Sequence, residues 1–494
     1  MATVDEPARA SAWPASATQA QGGGRAVLLA LFLFACLLPI NLFLGDFRVD
    51  PYRIVLLAMF IPAAGYIFAG QAGSVTRADL LMLCFGVWIM VTMIRHHGQW
   101  GLINGGITVV ELVGAYLLGR MLVRSAEDYR RFIRFFMITL VLIAPFALAE
   151  LLTGRWVIGD ILGQFFRTHP RQPTAPRWGL NRVQGIASHS ILFGVYCAIG
   201  FANAYYLYRR QVTKMVVAVV FVSAMVFSSL SAGPLLAVQI QVAIIAWGIL
   251  TKENWRKLLI ISVIGYVVID MLSNRGPMLI ILETFTFSTH TTWTRINIYN
   301  YGSAEVMRNP IFGIGFNPYS RPGWLTPSVD NYWLLTALRH GLVGLIFLAT
   351  ALAFHVWRIV RTGPISAEAG DARLAYMVTF VGLAFALATV HIWNSVASII
   401  FFYFGAGAFL YTSSSVKTDE VEVLTKPEAS ASPGTASSGP VYRRTPLTNT
   451  RSEDPTAAPA RPPAPAPEQV APSLRREAEA EAPRILDESD RYRR

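Results

Sequence analysis

Blocks of apolar residues alternate with short polar stretches along most of the chain, and the blocks run close to the roughly 20 residues a helix needs to cross hydrocarbon. Their spacing predicts spans at residues 26–44, 54–70, 79–94, 103–123, 132–152, 186–208, 213–231, 234–250, 257–273, 331–356, 375–393 and 396–412. This is the pattern of an all-α polytopic membrane protein with about twelve transmembrane helices. Around Ser231–Pro234 and Asn394 the apolar pattern is broken by small or polar residues, which fits either a hairpin or a kinked, re-entrant element.

Two long polar segments interrupt the alternation, residues 153–185 and 274–330. The second is too long for a plain connection and too rich in Trp, Tyr, Phe and Ile to stay disordered. It is expected to fold into short helices and to carry the chemistry. Residues 1–24 and 413–494 are expected to be disordered, because the tail is rich in Pro, Ala, Ser and Glu and the leader is polar and Gly-rich, so neither buries enough apolar area to offset ordering. The domain reading is therefore a leader at 1–24, a membrane body at 25–412 and a tail at 413–494. The first apolar block follows a long polar leader and continues for a full span, so it reads as a retained anchor rather than a cleaved signal.

Composition agrees with the pattern: 53% of residues are hydrophobic and 15% charged. The tail after Thr412 holds 12 basic and 13 acidic residues, so the whole net charge of +12 belongs to the membrane body, and the tail is no nucleic-acid arm. With the amino terminus in the cytoplasm, the short basic loops Arg124–Arg134, Arg209–Lys214, Lys252–Lys257 and Arg358–Arg373 all lie inside, together with the carboxyl tail. Both long loops then lie outside. They nevertheless carry Arg155, Arg167, Arg171, Arg177 and Arg182 in one and Arg275, Arg295, Arg308 and Arg321 in the other, and an exported basic surface suits an anionic ligand. Cys36, Cys84 and Cys197 fall within spans and read as small buried apolar residues, not as a disulfide framework or metal site.

Several polar residues stand where chemistry can occur. Arg182, in NRVQGIASHSILFG, sits at the outer mouth of a span, where a guanidinium fork either meets phosphate oxygens or snorkels to the interface. His189 follows, as a helix-packing donor or a reacting group. In WTRINIYNYGSAEVM, apolar positions recur at helical spacing and leave Arg295 and Tyr299 on another face, as in an amphipathic surface helix. Arg295 is then a ligand-binding cation or the partner of an acid such as Glu305 or Glu283. Arg308 comes next, and Asn309-Pro310 ends the helix. Gly313 and Gly315 in NPIFGIGF permit positive φ or close backbone approach, with no strand before them to make a dinucleotide fingerprint. Asp330 is placed either as the N-cap of the next helix or as a general base, with Asn331 beside it. The small residues of SSLSAGPLL, Ser228–Leu236, permit close helix packing or an unwound backbone. The folded part of the chain holds no DxD, Walker loop or HExxH, so a transferase here needs a donor already activated in the membrane.

In the order RVQGIASHSILFG, SLSAGPLLA, TRINIYNYGSAEVMRNPIFGIGF and DNYWLLTALRHGLVG, residues 120–412 resemble the O-antigen ligase and O-antigen polymerase superfamily of bacterial membrane glycosyltransferases. The resemblance implies a GT-C-like helical membrane enzyme of the bacterial inner membrane, with both termini cytoplasmic. It implies transfer of a glycan from polyprenyl pyrophosphate to an acceptor glycan hydroxyl without metal or other cofactor. The essential loop arginines carry over to Arg182 and Arg295, with Asp330 as the third catalytic candidate and Arg177, Tyr299, Arg308, Arg321 and Asn331 as substrate-binding ones. Ligases of this kind place a His before the Asn and a Gly eleven positions on; here Gly341 keeps the spacing but Asp330 replaces the His, which favours a polymerase of exopolysaccharide, capsule or O-antigen repeats. The alternatives are a ligase acting on a lipid or protein acceptor and a flippase or transporter of lipid-linked oligosaccharide. No internal repeat is evident and few acids lie within spans, which counts against transport. Membrane lipids, chain-length regulators and other assembly proteins are the implied partners.

Overall fold

The computed structural model describes residues 15–412 except 45–46, 173, 253, 273–288 and 364–365. The tail 413–494, most of the leader, Arg275 and Glu283 lie outside the described residues. Among the described residues the fold is all-α with one small sheet, and eight helical runs are long and apolar enough to cross a membrane.

The first helix, α1 (Ala15–Leu37), starts inside the stretch expected to be a disordered leader and stops at Leu37. The last residues of the predicted first span instead form β1 (Ile40–Leu44), which pairs with β2 (Phe47–Val49) and with β3 (Arg167–Thr168) from the first long loop. Pro39 explains the stop: it has no N–H to continue a helix. Pro51 then opens α2 (Pro51–Phe68), its fixed φ suiting the first helical position.

The run Arg77–Leu122 contains two of the predicted spans. It begins at α3 (Arg77–Val109) with a reciprocal cap between Thr76 and Asp79. At Gly98, φ +57 reverses the chain, so that Gly105 comes back against Met93 and Met90. A π-helical turn (Val110–Gly114) sets Glu111 in the interior before α4 (Ala115–Leu122). Next come α5 (Ala126–Thr153), capped by Ser125 and ended by left-handed Gly154, the short α6 (Val157–Leu162), α7 (Ser190–Ala198) and α8 (Gly200–Tyr208). The apolar helices α9 (Val212–Ser228) and α10 (Ala232–Thr251) are joined by a tight turn with Leu230 at φ +46. Helix α11 (Trp255–Leu272) occupies the predicted span 257–273. It is comparably apolar but carries three charged residues, Arg256, Lys257 and Asp270, and is not among the eight.

In the second long loop, α12 (Thr289–Arg308) packs on the start of α13 (Tyr332–Arg361) around Ile298, Val306, Leu334 and Leu338. The predicted uninterrupted span 331–356 is broken at Gly341, which sits at φ +69. The break has a partner. Ile314 N donates to Leu338 O at 2.7 Å, Gly315 N to Arg339 O at 3.1 Å, and Leu342 N to Pro310 O at 2.7 Å, so NPIFGIGF satisfies the groups that the broken helix frees. Helices α14 (Ala367–Ala386) and α15 (Asn394–Ala406) flank an irregular stretch, residues 387–393, and Asn394 itself has φ +54.

One large core holds α1–α10 and α13–α15 together. Several polar side chains buried inside it satisfy one another, as a hydrocarbon-like interior favours. Tyr129 donates to Asn203 Oδ1 at 2.5 Å and lies 2.9 Å from Tyr403 Oη. His355 bridges Tyr411 and Tyr376 at 3.0 and 2.8 Å, and Arg120 meets Asp79 at 3.2 Å. This end of the bundle is fixed.

Candidate functional site

At the opposite end, five irregular pieces gather: the Gly98 turn, the first long loop, the 228–231 turn, the NPIFGIGF loop and residues 387–393. Backbone and side-chain bonds tie them. Glu150, at the end of α5, accepts from Gln184 N at 3.1 Å and Gly185 N at 2.9 Å, which fixes the loop between Arg182 and His189. Trp156 Nε1 holds Gly185 O at 2.6 Å. His97 Nε2 accepts from Phe316 N at 2.9 Å, and Trp393 Nε1 donates to Ser188 Oγ at 2.8 Å.

The SSLSAGPLL motif forms the tight turn and serves two arginines. Arg182 donates to Ser229 O at 3.3 Å and Ser231 Oγ at 2.8 Å, while Arg177 donates to Leu230 O at 2.8 Å. Small residues are needed here for packing too: a Cβ on Gly233 would lie 2.3 Å from Val390 Cγ2. Only 8% of Arg182 is exposed. Burial, and then the neighbouring Arg177, push its value down to about 10, which leaves it charged at neutral pH.

Arg295 is equally buried, at 8% exposed. Its guanidinium falls below the ordinary arginine range through burial, with the facing Asp330 pulling it back up and Arg177 pushing it down. Arg177 is therefore near enough to both Arg182 and Arg295 to act on each electrostatically. Of the acids weighed as partners for Arg295, Glu305 is engaged elsewhere: it holds Arg308 at 3.2 Å and Asn309 Nδ2 at 2.9 Å. The acid that faces Arg295 is Asp330.

Asp330 is not the helix cap. Asn331 is, its Oδ1 accepting from Leu334 N at 3.0 Å. Burial raises the Asp330 carboxyl above the ordinary aspartate range and Arg295 opposes the rise. The carboxylate opens on two sides. One is a narrow cleft with Arg295, Tyr299 and Asn331. The other is a cavity of about 610 Å³ lined by His189, Arg339, His391, Trp393 and Glu111, among others, a volume in the usual range for small-molecule sites.

His189 caps α7, its Nδ1 accepting from Ile191 N at 3.1 Å. Burial, then Arg182 and Arg177, lower it to about 4. A neutral ring whose Nδ1 accepts must carry its proton on Nε2. His391 is lowered to about 3 by burial and then by Arg339. At the cavity's inner end Glu111 is held by Tyr52 at 2.5 Å and Arg53 at 2.8 Å.

Arg308 and Arg321 are not brought to this cavity. Arg308 is 63% exposed and paired with Glu305, because its position near the end of α12 faces away from α13. Arg321 lies over the Tyr319 ring at 5.7 Å beside a separate cavity of about 240 Å³ behind the NPIFGIGF loop. Arg339, His391 and Trp393 also line the cavity, though their sequence context does not single them out. The nearest to a signal is Arg339, a cation inside an apolar block, whereas His391 and Trp393 become a wall only because α14 ends at Ala386.

Residues 188–349 match the family model described as O-Antigen ligase. The matched stretch includes His189, the 228–231 turn, Arg295, NPIFGIGF, Asp330 and Gly341; Arg177 and Arg182 lie just before it. No curated protein matches the chain.

Proposed function

We propose that the chain is a polymerase of lipid-linked polysaccharide repeats, working at the outer face of the bacterial inner membrane with both termini in the cytoplasm. The observation that carries this reading is the placement of Asp330. It is relieved of capping by Asn331, faces Arg295, and opens into the 610 Å³ cavity.

In the proposed reaction a hydroxyl of the acceptor glycan attacks the anomeric carbon of the donor sugar. A new C–O bond forms as the bond from that carbon to the diphosphate oxygen breaks, and polyprenyl diphosphate leaves with the bonding electrons. Asp330 takes the hydroxyl proton, which requires it to be ionised and within hydrogen-bond reach. Arg182 and Arg295, with Arg177 between them electrostatically, stabilise the charge that grows on the leaving group. Fixed cations in a water-poor site are the largest contribution expected for such a step. The arginines need no metal for this, and no cofactor enters. Residues 25–412 form the catalytic body in this proposal, and the tail 413–494 recruits chain-length or synthesis partners.

The replacement of a family histidine by Asp330 favours polymerisation over ligation. The test is transfer by the purified full-length protein from a synthetic polyprenyl-diphosphate glycan to a repeat-unit acceptor. Wild type should form a new glycosidic bond, and Arg182→Ala and Arg295→Ala should each lower the rate by 10²-fold or more while inserting normally. Movement of the lipid-linked glycan across the membrane without a new bond would establish a flippase instead. Transfer to a lipid or protein acceptor but not to a repeat unit would establish a ligase.

A further inference from the structure

Arg339 is a cation within the α13 span that the transfer step above does not use. Its guanidinium lies 4.7 Å over the Phe316 ring, so the NPIFGIGF loop positions it. Among the described residues no ion pair or hydrogen bond ties it down. It lines the 610 Å³ cavity as well as the smaller one behind the loop. An arginine at membrane depth is costly and is retained where it meets a ligand or a water-filled path. Glu111, the cavity's other carboxylate besides Asp330, already accepts from Tyr52 and Arg53.

Position decides which ligand. Asp330 lines both spaces: Arg295 shares the narrow cleft with it, and Arg339 shares the large cavity with it. If Asp330 takes the acceptor's proton, the donor diphosphate lies toward Arg295 and the acceptor sugar lies in the large cavity. The same cavity presents an aromatic ring, Trp393, whose centroid is 4.9 Å from His391 and 6.3 Å from His189, both tilted against it, and which is anchored through its Nε1 to Ser188. A fixed aromatic face beside a free planar guanidinium fork suits a sugar ring that carries a carboxylate.

We infer that the large cavity is an acceptor subsite for an acidic sugar, with Arg339 receiving its carboxylate and Trp393 supporting its ring. This rests on the polymerase reading for its placement of donor and acceptor. Arg339 is a specificity residue in this scheme, while Asp330 remains the base.

The experiment is ligand-observed NMR on the purified full-length protein, with methyl glycosides of glucuronic and galacturonic acid against their neutral hexose counterparts. Wild type should bind an acidic glycoside at least tenfold more tightly than its neutral match. Arg339→Gln should erase that difference and Arg339→Lys should keep part of it, with thermal unfolding measured alongside to exclude collapse of the protein. Arg182→Ala should leave the difference in place. Equal binding of acidic and neutral glycosides by wild type would overturn the inference, as would loss of the difference in Arg182→Ala, which would assign the anion to the diphosphate cluster. A second arm measures transfer from the polyprenyl-diphosphate donor: its absence with the glycoside preference intact rejects the polymerase reading and leaves a carboxylate-binding cavity.

Discussion

Asp330 and Asn331 are neighbours in sequence and divide two tasks between them: Asn331 closes the amino end of α13 through Leu334 N, and Asp330 faces Arg295. Their substitutions should therefore separate. Asn331→Ala removes a cap and should cost about 1 kcal/mol of stability, visible as a lower melting temperature. Asp330→Asn should leave the melting temperature nearly unchanged and reduce transfer by about 10²–10⁴-fold. Retained transfer in Asp330→Asn would remove it from the mechanism.

The pH dependence follows from the same carboxyl. A general base works only when ionised, so activity is present above the Asp330 value and lost as pH falls through it. Burial raises that value and Arg295 only partly opposes the rise. The acid limb of the rate profile should therefore lie above the ordinary aspartate range. His189, already lowered to about 4, is neutral across this window, so His189→Gln should leave the limb in place. A limb that disappears in His189→Gln and persists in the residual rate of Asp330→Asn would make the histidine the base.

The apolar blocks were readable because each is long enough to commit a helix to the membrane whatever surrounds it. The loop arginines stood out for a related reason: cations on a side expected to be exported are out of place unless something anionic meets them. What the one-dimensional pattern could not carry were reversals and breaks set by single residues. Gly98 turns one helical run back on itself and Gly341 interrupts another, yet glycine is common inside membrane helices and only φ distinguishes these two. The site suffered most from this limit. Arg339 and Trp393 share a wall with His189 because the chain is irregular at residues 341 and 387–393, far from the loops that announce themselves by charge.

The far end of the bundle gives a prediction about stability alone. Arg120 and Asp79 are each about 1% exposed and 3.2 Å apart, and Tyr116 donates to the same carboxylate at 2.8 Å. Removing one partner leaves an uncompensated buried charge, a loss of about 3–5 kcal/mol. Arg120→Ala should thus unfold or fail to accumulate. Replacing both members with apolar residues of similar volume should recover most of the loss, because the desolvation of both ions is then avoided. A double variant as unstable as the single one would mean that Ala72 O and Ser74 O, which also accept from Arg120, matter more than the ion pair.

Gly341 joins the fold to the chemistry. It holds φ +69, and a Cβ there would lie 1.9 Å from Ile311 O and 2.8 Å from Pro310 O, backbone atoms that cannot swing aside. Gly341→Ala must therefore push the NPIFGIGF loop off the helix break, losing the bonds from Ile314, Gly315 and Leu342. Left-handed strain on a non-glycine residue alone costs about 1–3 kcal/mol, and the displaced loop carries Phe316, on which Arg339 rests. Gly344→Ala is the control. A Cβ there meets the His340 Cβ at 2.6 Å and the Trp88 ring at 3.2 Å but no backbone oxygen or nitrogen, and its φ is not left-handed. Gly341→Ala should lower the melting temperature more than Gly344→Ala and should also weaken acceptor saturation, read as a raised acceptor KM. A Gly341→Ala protein with normal acceptor KM would uncouple the loop from the cavity.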